Sequence, residues 1–599
     1  MIFRFRCDTM ISTENQKKLN ESGANNMFKI PYGISNFRMI RDKQDNYLYI
    51  DKTHFIHKIE KTKYLMHLRP RRFGKSLFVD MMDNYYDINS ADKFEELFSG
   101  LYVHQKPTRH RNSYYILRLD FSGIQNTEME NLEQGFLRRV KNDAQRFINR
   151  YKLNINLSTE NSPASVLDSL LKGFESLNLK NNIYIMIDEY DHFTNSVLSG
   201  DGEAFLAVLR RGGYVRSFYE VIKQNVGSGV IERFFITGVM SVTLDSMSSG
   251  FNISTNITTH RDFADLMGFT ADEVKNVLSL SFTDGEEEPN AINLTTNEQA
   301  EVYEIFSENY NGYLFSRQSK AKVFNSTLIM YYLQNYLPEK LVPESMIDPN
   351  LNQTGTTIEN IAGLKNSEQN YQVIERIISD KQIGGTLQAF INVDVKFDKN
   401  DLITLLYNIG MLTIKGFDMQ TQFEMPNKII ENIYLQYLSD LYQRQSEYNL
   451  DLSAQQDAII EFGRQGKITA LTNLVSEFLM HLSQRNARNF DEHDIKRIYM
   501  MILAYSNQFT VYDELPALQG FSDILIFKSP NSTARYEAII ELKHLKKGSS
   551  SEIAIEEELA DGIGQINNYM KDNRLTSREN FKKFVVVFVG FEVARFVEL

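Results

Sequence analysis

The chain has 599 residues, 42% of them hydrophobic and 24% charged, with only 11 Pro and 31 Gly; this excludes disordered, collagen-like and low-complexity classes for the bulk and implies three or four domains, because single cores stop growing at about 250–300 residues. A single cysteine, Cys7, forbids an internal disulfide, and no apolar run reaches the roughly 20 residues of a membrane helix, so a soluble cytoplasmic protein without a membrane partner is expected. The net charge of −12 argues against a broadly basic surface for nucleic acid but leaves room for a local basic channel.

Residues 1–26 are polar, show no apolar period and are expected to form a mobile tail. The string YLMHL then predicts a strand, RPRRFGKS a loop and LFVDMMDNYYD a helix. YYILRLDFS, IYIMID (Ile183 to Asp188) and FFITGVM (Phe234 to Met240) read as further strands, with a long helix around Asn131 to Tyr151 between them. Strands alternating with helices predict a parallel α/β sheet over residues 27–275. After an acidic loop beginning near Phe282, residues 276–450 read as mainly helical and winged-helix-like, with short strand-like pieces at LLYNIGMLTIK and FEMPN. Residues 451–599 return to strands at FTVYDEL, FSDILIF, YEAIIELKH and FVVVFVG.

Arg69 to Ser76 (RPRRFGKS) has the spacing GxxxxGK[ST] of a phosphate-binding loop, with arginine in place of the first glycine. Gly74 lets the backbone aim its amides at phosphate oxygens, Lys75 neutralises the outer phosphates, and Ser76 offers a hydroxyl to Mg²⁺ at the positive end of the following helix. Asp188 and Glu189 close an apolar strand, the arrangement in which the aspartate orients the magnesium shell and the glutamate polarises the attacking water. Together these residues predict ATP binding with Mg²⁺, with Arg69 and Arg72 counted among the nucleotide-binding residues.

The strings IPYGISNF, YIDKTHFI, LRPRRFGKSL, MIDEYD, FFITGVMSVTLDSMSSGFNI, NGYLFS, LLYNIGMLTI and MPN, in this order, resemble the AAA-ATPase-like proteins that carry a C-terminal PD-(D/E)XK nuclease domain. In that family the arginine-rich loop replaces the usual first glycine. The resemblance makes Thr237 the position of a polar sensor near the γ-phosphate, with a satisfied β-strand hydroxyl as the competing reading. It also implies a homo-oligomer, with Arg210, Arg211, Arg216 and Arg233 all available as an arginine finger.

The last segment carries Asp523, Glu541 and Lys543 in the spacing D-x17-E-x-K. Alternation on a strand places Glu541 and Lys543 on one face, and a hairpin centred near Ser532 sets Asp523 opposite Glu541, close enough for two carboxylates to share one Mg²⁺. Lys543 would then activate water and stabilise charge on the scissile phosphate. Gln565 and Tyr569, four apart on the next helix, resemble the QxxxY element of RecB-like nucleases. The motif's proline is replaced by Ser522.

The expected protein is thus α/β: a P-loop NTPase parallel sheet, a helical middle region and a C-terminal restriction-endonuclease-like domain. Its expected work is ATP binding and hydrolysis coupled to Mg²⁺-dependent cleavage of nucleic acid. DNA, and a setting in bacterial defence or mobile-element conflict, rest on the resemblance alone. The alternative is an ATP-switched regulatory or nucleic-acid-binding protein without cleavage.

Overall fold

The computed structural model describes residues 27–124, 129–192, 213–240, 253–283, 291–348, 354–364, 367–389, 391, 397–446, 451–485, 491–504, 506, 508–513, 522–548 and 551–599. The expected tail at residues 1–26, and Arg210 and Arg211, lie outside them.

Strands β1 (Tyr64–Leu68), β2 (Tyr115–Asp120), β3 (Ile183–Asp188), β4 (Ile231–Gly238) and β5 (Thr255–Asn256) form one parallel sheet in the order β2-β3-β4-β1-β5. Helix α1 (Lys75–Tyr86) follows β1, α2 (Met129–Tyr151) and α3 (Pro163–Ser176) join β2 to β3, and α4 (Tyr214–Ser228) leads into β4. Helix α3 starts where the sequence says it must, at a Ser162 capping box with Pro163 in the first turn. Every residue of β3 is buried, which is why IYIMID is an unbroken apolar run and not an alternating one. The strand order sets the carboxyl ends of β1, β4 and β3 side by side, and the crevice outside such ends is where open α/β sheets bind ligands.

The middle region contains α5 (Ala271–Leu278), α6 (Thr296–Asn309), α7 (Ser326–Tyr336), α8 (Thr354–Ala362), α9 (Ser367–Asp380), α10 (Lys399–Asn408) and α11 (Lys428–Ser446). A small antiparallel sheet of β6 (Gln382–Gly385), β7 (Thr413–Asp418) and β8 (Gln420–Glu424), ordered β6-β8-β7, sits among them. The string LLYNIGMLTIK divides at Gly410: LLYN ends α10, whose start is fixed by an Asp398 capping box, and LTIK leads into β7. The strand expectation fails for its first half because Leu405, Leu406 and Tyr407 are buried from a helix, which a short apolar run does not distinguish from a strand.

The last segment contains α12 (Leu452–Gln465), α13 (Thr469–Arg485), α14 (Glu492–Ala504), β9 (Phe509–Tyr512), β10 (Ile524–Lys528), β11 (Glu537–Leu545), α15 (Glu552–Tyr569), β12 (Phe581–Val589) and β13 (Glu592–Glu598). Its sheet is mixed, in chain order, with β11 and β12 parallel across α15 and the other pairs antiparallel. Alternation divides the side chains of β11: Ile540 and Leu542 join the main core, while Ile539 joins Leu525, Leu559, Ile566 and Tyr569 under α15. Glu541 and Lys543 therefore emerge on the α15 face. Among the described residues, no helix is long and apolar enough to cross a membrane.

Candidate functional site

At the end of β1 the chain turns through Arg72 (φ 70°) and Gly74 (φ 87°), and α1 begins at Lys75 with no side chain capping its N-terminus. Its first-turn amides are left to face an anion. Lys75 is buried and donates through Nζ to the carbonyls of Arg69 (3.0 Å) and Pro70 (2.9 Å), so the lysine closes the loop on itself. The cavity over this loop, about 530 Å³, is lined by Arg71, Arg72, Gly74, Lys75, Ser76, Glu189 and His192 on its polar side. Ile34, Leu48, Met267 and Met330 line an apolar side able to receive a flat base.

Asp188 is buried beneath Ser76, whose hydroxyl donates to its carboxylate; burial pushes this carboxyl up, while Ser76 and Lys75 pull it down. Glu189 sits in the left-handed backbone region (φ 51°), with its carboxylate 3.6 Å from Nδ1 of His192. The close approach of His192 holds Glu189 below its ordinary value. Burial works against charge on His192, but Glu189 and the carbonyl of Ile124, which accepts from Nε2 at 3.0 Å, raise it.

Two expectations on this side are corrected. The Arg69 guanidinium does not line the cavity; it is 1% exposed and donates to the carbonyls of Leu68 (2.8 Å), Thr258 (2.7 Å) and Phe263 (2.9 Å) while lying over the Phe315 ring. Its side chain leaves the loop toward residues 258–264 and away from the cavity. The Thr237 hydroxyl donates to the carbonyl of His67 (2.9 Å) within the sheet and is fully buried, so it serves strand pairing. Among the remaining arginines, Arg233 is buried against the carbonyls of Glu60 and Thr62, and Arg216 pairs with Glu220 on its own helix.

Other groups at this site carried no sequence signal of their own. Asp191 accepts from the amides of Val239 (3.1 Å) and Met240 (2.7 Å), tying the loop after β3 to the end of β4. From the middle region, the N-terminus of α7 reaches the phosphate loop: the Thr327 amide donates to the carbonyl of Arg72 (3.2 Å), and Ser326 and Thr327 line the cavity.

The second site lies on the α15 face of the mixed sheet. Ile524 pairs with Ile540 and Leu525 with Ile539, so the next pair outward in this register is Asp523 and Glu541. Asp523 accepts from the Leu542 amide at 2.8 Å. Lys543 Nζ stands 3.4 Å from Glu541 and 2.9 Å from Asp561, and Gln565 donates to Asp561 at 2.8 Å. Gln565 therefore acts on the lysine through Asp561. Tyr569 is buried beside them, its hydroxyl pushed up to about 12 by burial and by the charges of Glu541 and Asp523.

Glu541 is 2% exposed, and its Oε2 is buried with no hydrogen-bond partner. Burial and the neighbouring Asp523 push its carboxyl up to about 8, and burial raises Asp523 as well. Glu492, at the start of α14, is pushed up to about 7 by burial and by Asp523. Sequence reading missed Glu492 because a helix residue far along the chain shows no spacing relation to the motif. Such crowding of buried carboxyls, with one oxygen unsatisfied, fits a divalent cation, since a cation would supply the missing partner. Among the described residues, no group of three or more His, Cys, Asp and Glu side chains is arranged to hold a metal, so the fit is to two carboxylates with water completing the shell, the way Mg²⁺ is commonly held.

A curated relative, an uncharacterized protein in the vnfD 5′ region of Azotobacter chroococcum mcd 1, is 30% identical over 253 residues, 42% of this chain; the match spans just under half, 45%, of the relative's own length. The solved crystal structure of Cdc6p from Pyrobaculum aerophilum aligns with 67% of this chain and 98% of its own at 9% identity and a TM-score of 0.20, a likeness too low to bear on the fold. The family model "Predicted AAA-ATPase" matches residues 31–248, and that of the PD-(D/E)XK nuclease superfamily matches residues 490–598. The chain thus carries an AAA-ATPase-like domain around the phosphate loop and a PD-(D/E)XK nuclease superfamily domain around Asp523, Glu541 and Lys543.

Proposed function

We propose that this protein binds and hydrolyses ATP and uses it to control Mg²⁺-dependent phosphodiester cleavage of DNA. The observation that carries the reading is the unsatisfied Glu541 Oε2, buried between Asp523 and Lys543 on one face of a sheet. Asp523 and Glu541 would hold the metal, which when bound supplies Lewis-acid polarisation of the scissile phosphate and a more acidic water. Lys543, held by Asp561, faces the developing charge on the phosphate oxygens. At the other site Lys75 would leave the carbonyls of Arg69 and Pro70 for the outer phosphates, Ser76 and Asp188 would hold Mg²⁺, and Glu189 would orient water once released from His192.

The contact of α7 with the phosphate loop supports coupling through the middle region. That region also meets the nuclease sheet, with Lys381 joining Glu431 of α11 (3.3 Å) to Asp513 and with Asn531 donating to the carbonyl of Pro343 (3.1 Å). Cleavage is tested with supercoiled, linear and single-stranded DNA in Mg²⁺ or Mn²⁺, comparing wild type with Glu541→Gln. Metal-dependent cutting lost in the variant is expected; a wild-type protein that cuts none of these in either metal contradicts the reading and favours an ATP-switched binding protein.

A further inference from the structure

The segment 308–315, which runs from the end of α6 into the string NGYLFS, reaches the phosphate loop at one end and the nuclease sheet at the other. On the loop side, Phe73 stands between Arg72 and Gly74, both in the left-handed backbone region, and is buried. Its ring meets Tyr313 at 5.0 Å and Phe315 at 5.4 Å, edge to face in both cases, and the Arg69 guanidinium lies 4.1 Å over the Phe315 ring. Lys75 holds the carbonyls of Arg69 and Pro70, so its departure to a phosphate would free the loop that carries Phe73. A ring buried this way cannot shift without its two partners, because close-packed contacts change between discrete arrangements and do not deform smoothly.

At the other end, Glu308 accepts from the hydroxyl of Tyr512 in β9, and Lys428 of α11 lies 4.8 Å over the same ring. Tyr512 pairs with Leu525 of β10, two residues from Asp523, and both pack into the small core under α15, the face that carries Glu541. Between the two ends sits Gly312 at φ 100°, where a Cβ would overlap the carbonyl of Pro426, and Asn427 donates to the Asn311 carbonyl at 2.9 Å. Glycine alone meets both the backbone angle and the close approach. Three strings that the chemistry of neither site uses thus converge on this segment: NGYLFS itself, MPN through Pro426 and Asn427, and LLYNIGMLTI through Thr413, whose hydroxyl accepts from the Leu314 amide at 2.7 Å.

We propose that the segment 308–315 carries the nucleotide state of the phosphate loop to the nuclease face: phosphate binding resets Phe73, Tyr313 and Phe315 move with it about Gly312, and the Glu308–Tyr512 contact passes the shift to β9 and β10 and so to Asp523. The proposal rests on the ATP-controlled nuclease reading and names the route of that control. Tyr512 is a positioning residue in this account, acting on Asp523 through the strand beside it.

The test measures Mg²⁺-dependent plasmid cutting by the full chain with and without ATP, and ATP affinity beside it, in wild type, Tyr512→Phe, Glu308→Gln, their double variant and Phe315→Leu. The factor by which ATP changes the cutting rate should shrink at least about threefold, or to unity, in each variant. The double variant should lose no more than Tyr512→Phe alone, as a single shared contact requires. Tyr512→Phe removes one hydroxyl and keeps the ring packed, so its rate without nucleotide and its ATP affinity should stay at the wild-type level, a split that a general loss of fold would not produce. An undiminished ATP response in Tyr512→Phe or in Phe315→Leu, beside a responsive wild type, overturns the proposal alone. Loss of nucleotide-free cutting in Tyr512→Phe also overturns it, by assigning the tyrosine to support of the site. A wild type that cuts at one rate whether or not ATP is bound defeats the ATP-control reading, one that cuts nothing defeats the nuclease reading, and the proposal falls with either.

Discussion

Lys543 Nζ lies 2.9 Å from Asp561, a residue of α15, so this lysine is held by the helix that covers its face of the sheet and not only by Glu541 two residues before it. Lys543→Ala should reduce cleavage by about 10²–10³, the usual effect of removing a charge-stabilising donor from an active site. Asp561→Ala should cost about tenfold or less, because the Asp561 side chain is 59% exposed and exposed ion pairs are weak. Rates of plasmid nicking by the two variants check the ranking; equal losses would mean that Asp561 does more than position the lysine.

Metal-free protein should lose stability as pH rises. Burial and Asp523 raise Glu541 from an ordinary 4.5 to about 8, so the folded state holds a proton that the unfolded state releases. The favourable contribution is complete below about pH 4.5 and is lost as pH rises toward 8. Thermal midpoints of the EDTA-treated protein between pH 5 and pH 8.5 should fall, and Glu541→Gln should flatten the curve. A curve as steep in the variant as in the wild type would contradict the assignment.

Restoring the usual glycine at position 69 should harm the protein. The Arg69 guanidinium bonds three backbone carbonyls in a fully buried position, and bonds of this charged kind are worth roughly 1.5–3 kcal/mol each. Arg69→Gly should lower the thermal midpoint by at least about 5 °C and weaken ATP binding through the loosened loop. Unchanged stability with tighter ATP binding would show that the arginine occludes phosphate.

Gly562 should resist substitution even though it lies in a helix. A Cβ there would stand 2.5 Å from Val585 and 3.5 Å from the Glu541 side chain, so alanine must push α15 off the sheet. The gain of about 1 kcal/mol in helix propensity should be outweighed, giving lower stability and slower cleavage in Gly562→Ala. A raised thermal midpoint would contradict the close approach.

What the sequence made legible was local. The GKS tripeptide and the Asp188-Glu189 pair needed only a strand and a helix beside them, and the pairing of Asp523 with Glu541 followed from alternation across a hairpin. For Arg69 and Thr237 spacing gives a position and not a direction, and for Thr237 the satisfied strand hydroxyl was the competing reading; their partners come from residues 258–264 and from β1. Glu492, Asp561 and the tip of α7 were beyond spacing altogether, since they reach the sites from helices whose docking only the folded core decides. The apolar run at LLYN hid a helix because its neighbours on both faces are buried.

The central claim is that nucleotide at Lys75 governs chemistry at Lys543, and the measurement that tests it most directly is DNA cleavage in Mg²⁺ with and without ATP by wild type and Lys75→Ala. The account predicts that ATP changes the wild-type rate and leaves the Lys75→Ala rate where it stands without nucleotide. Identical wild-type rates with and without ATP, while ATP binding is measured in the same sample, would contradict it.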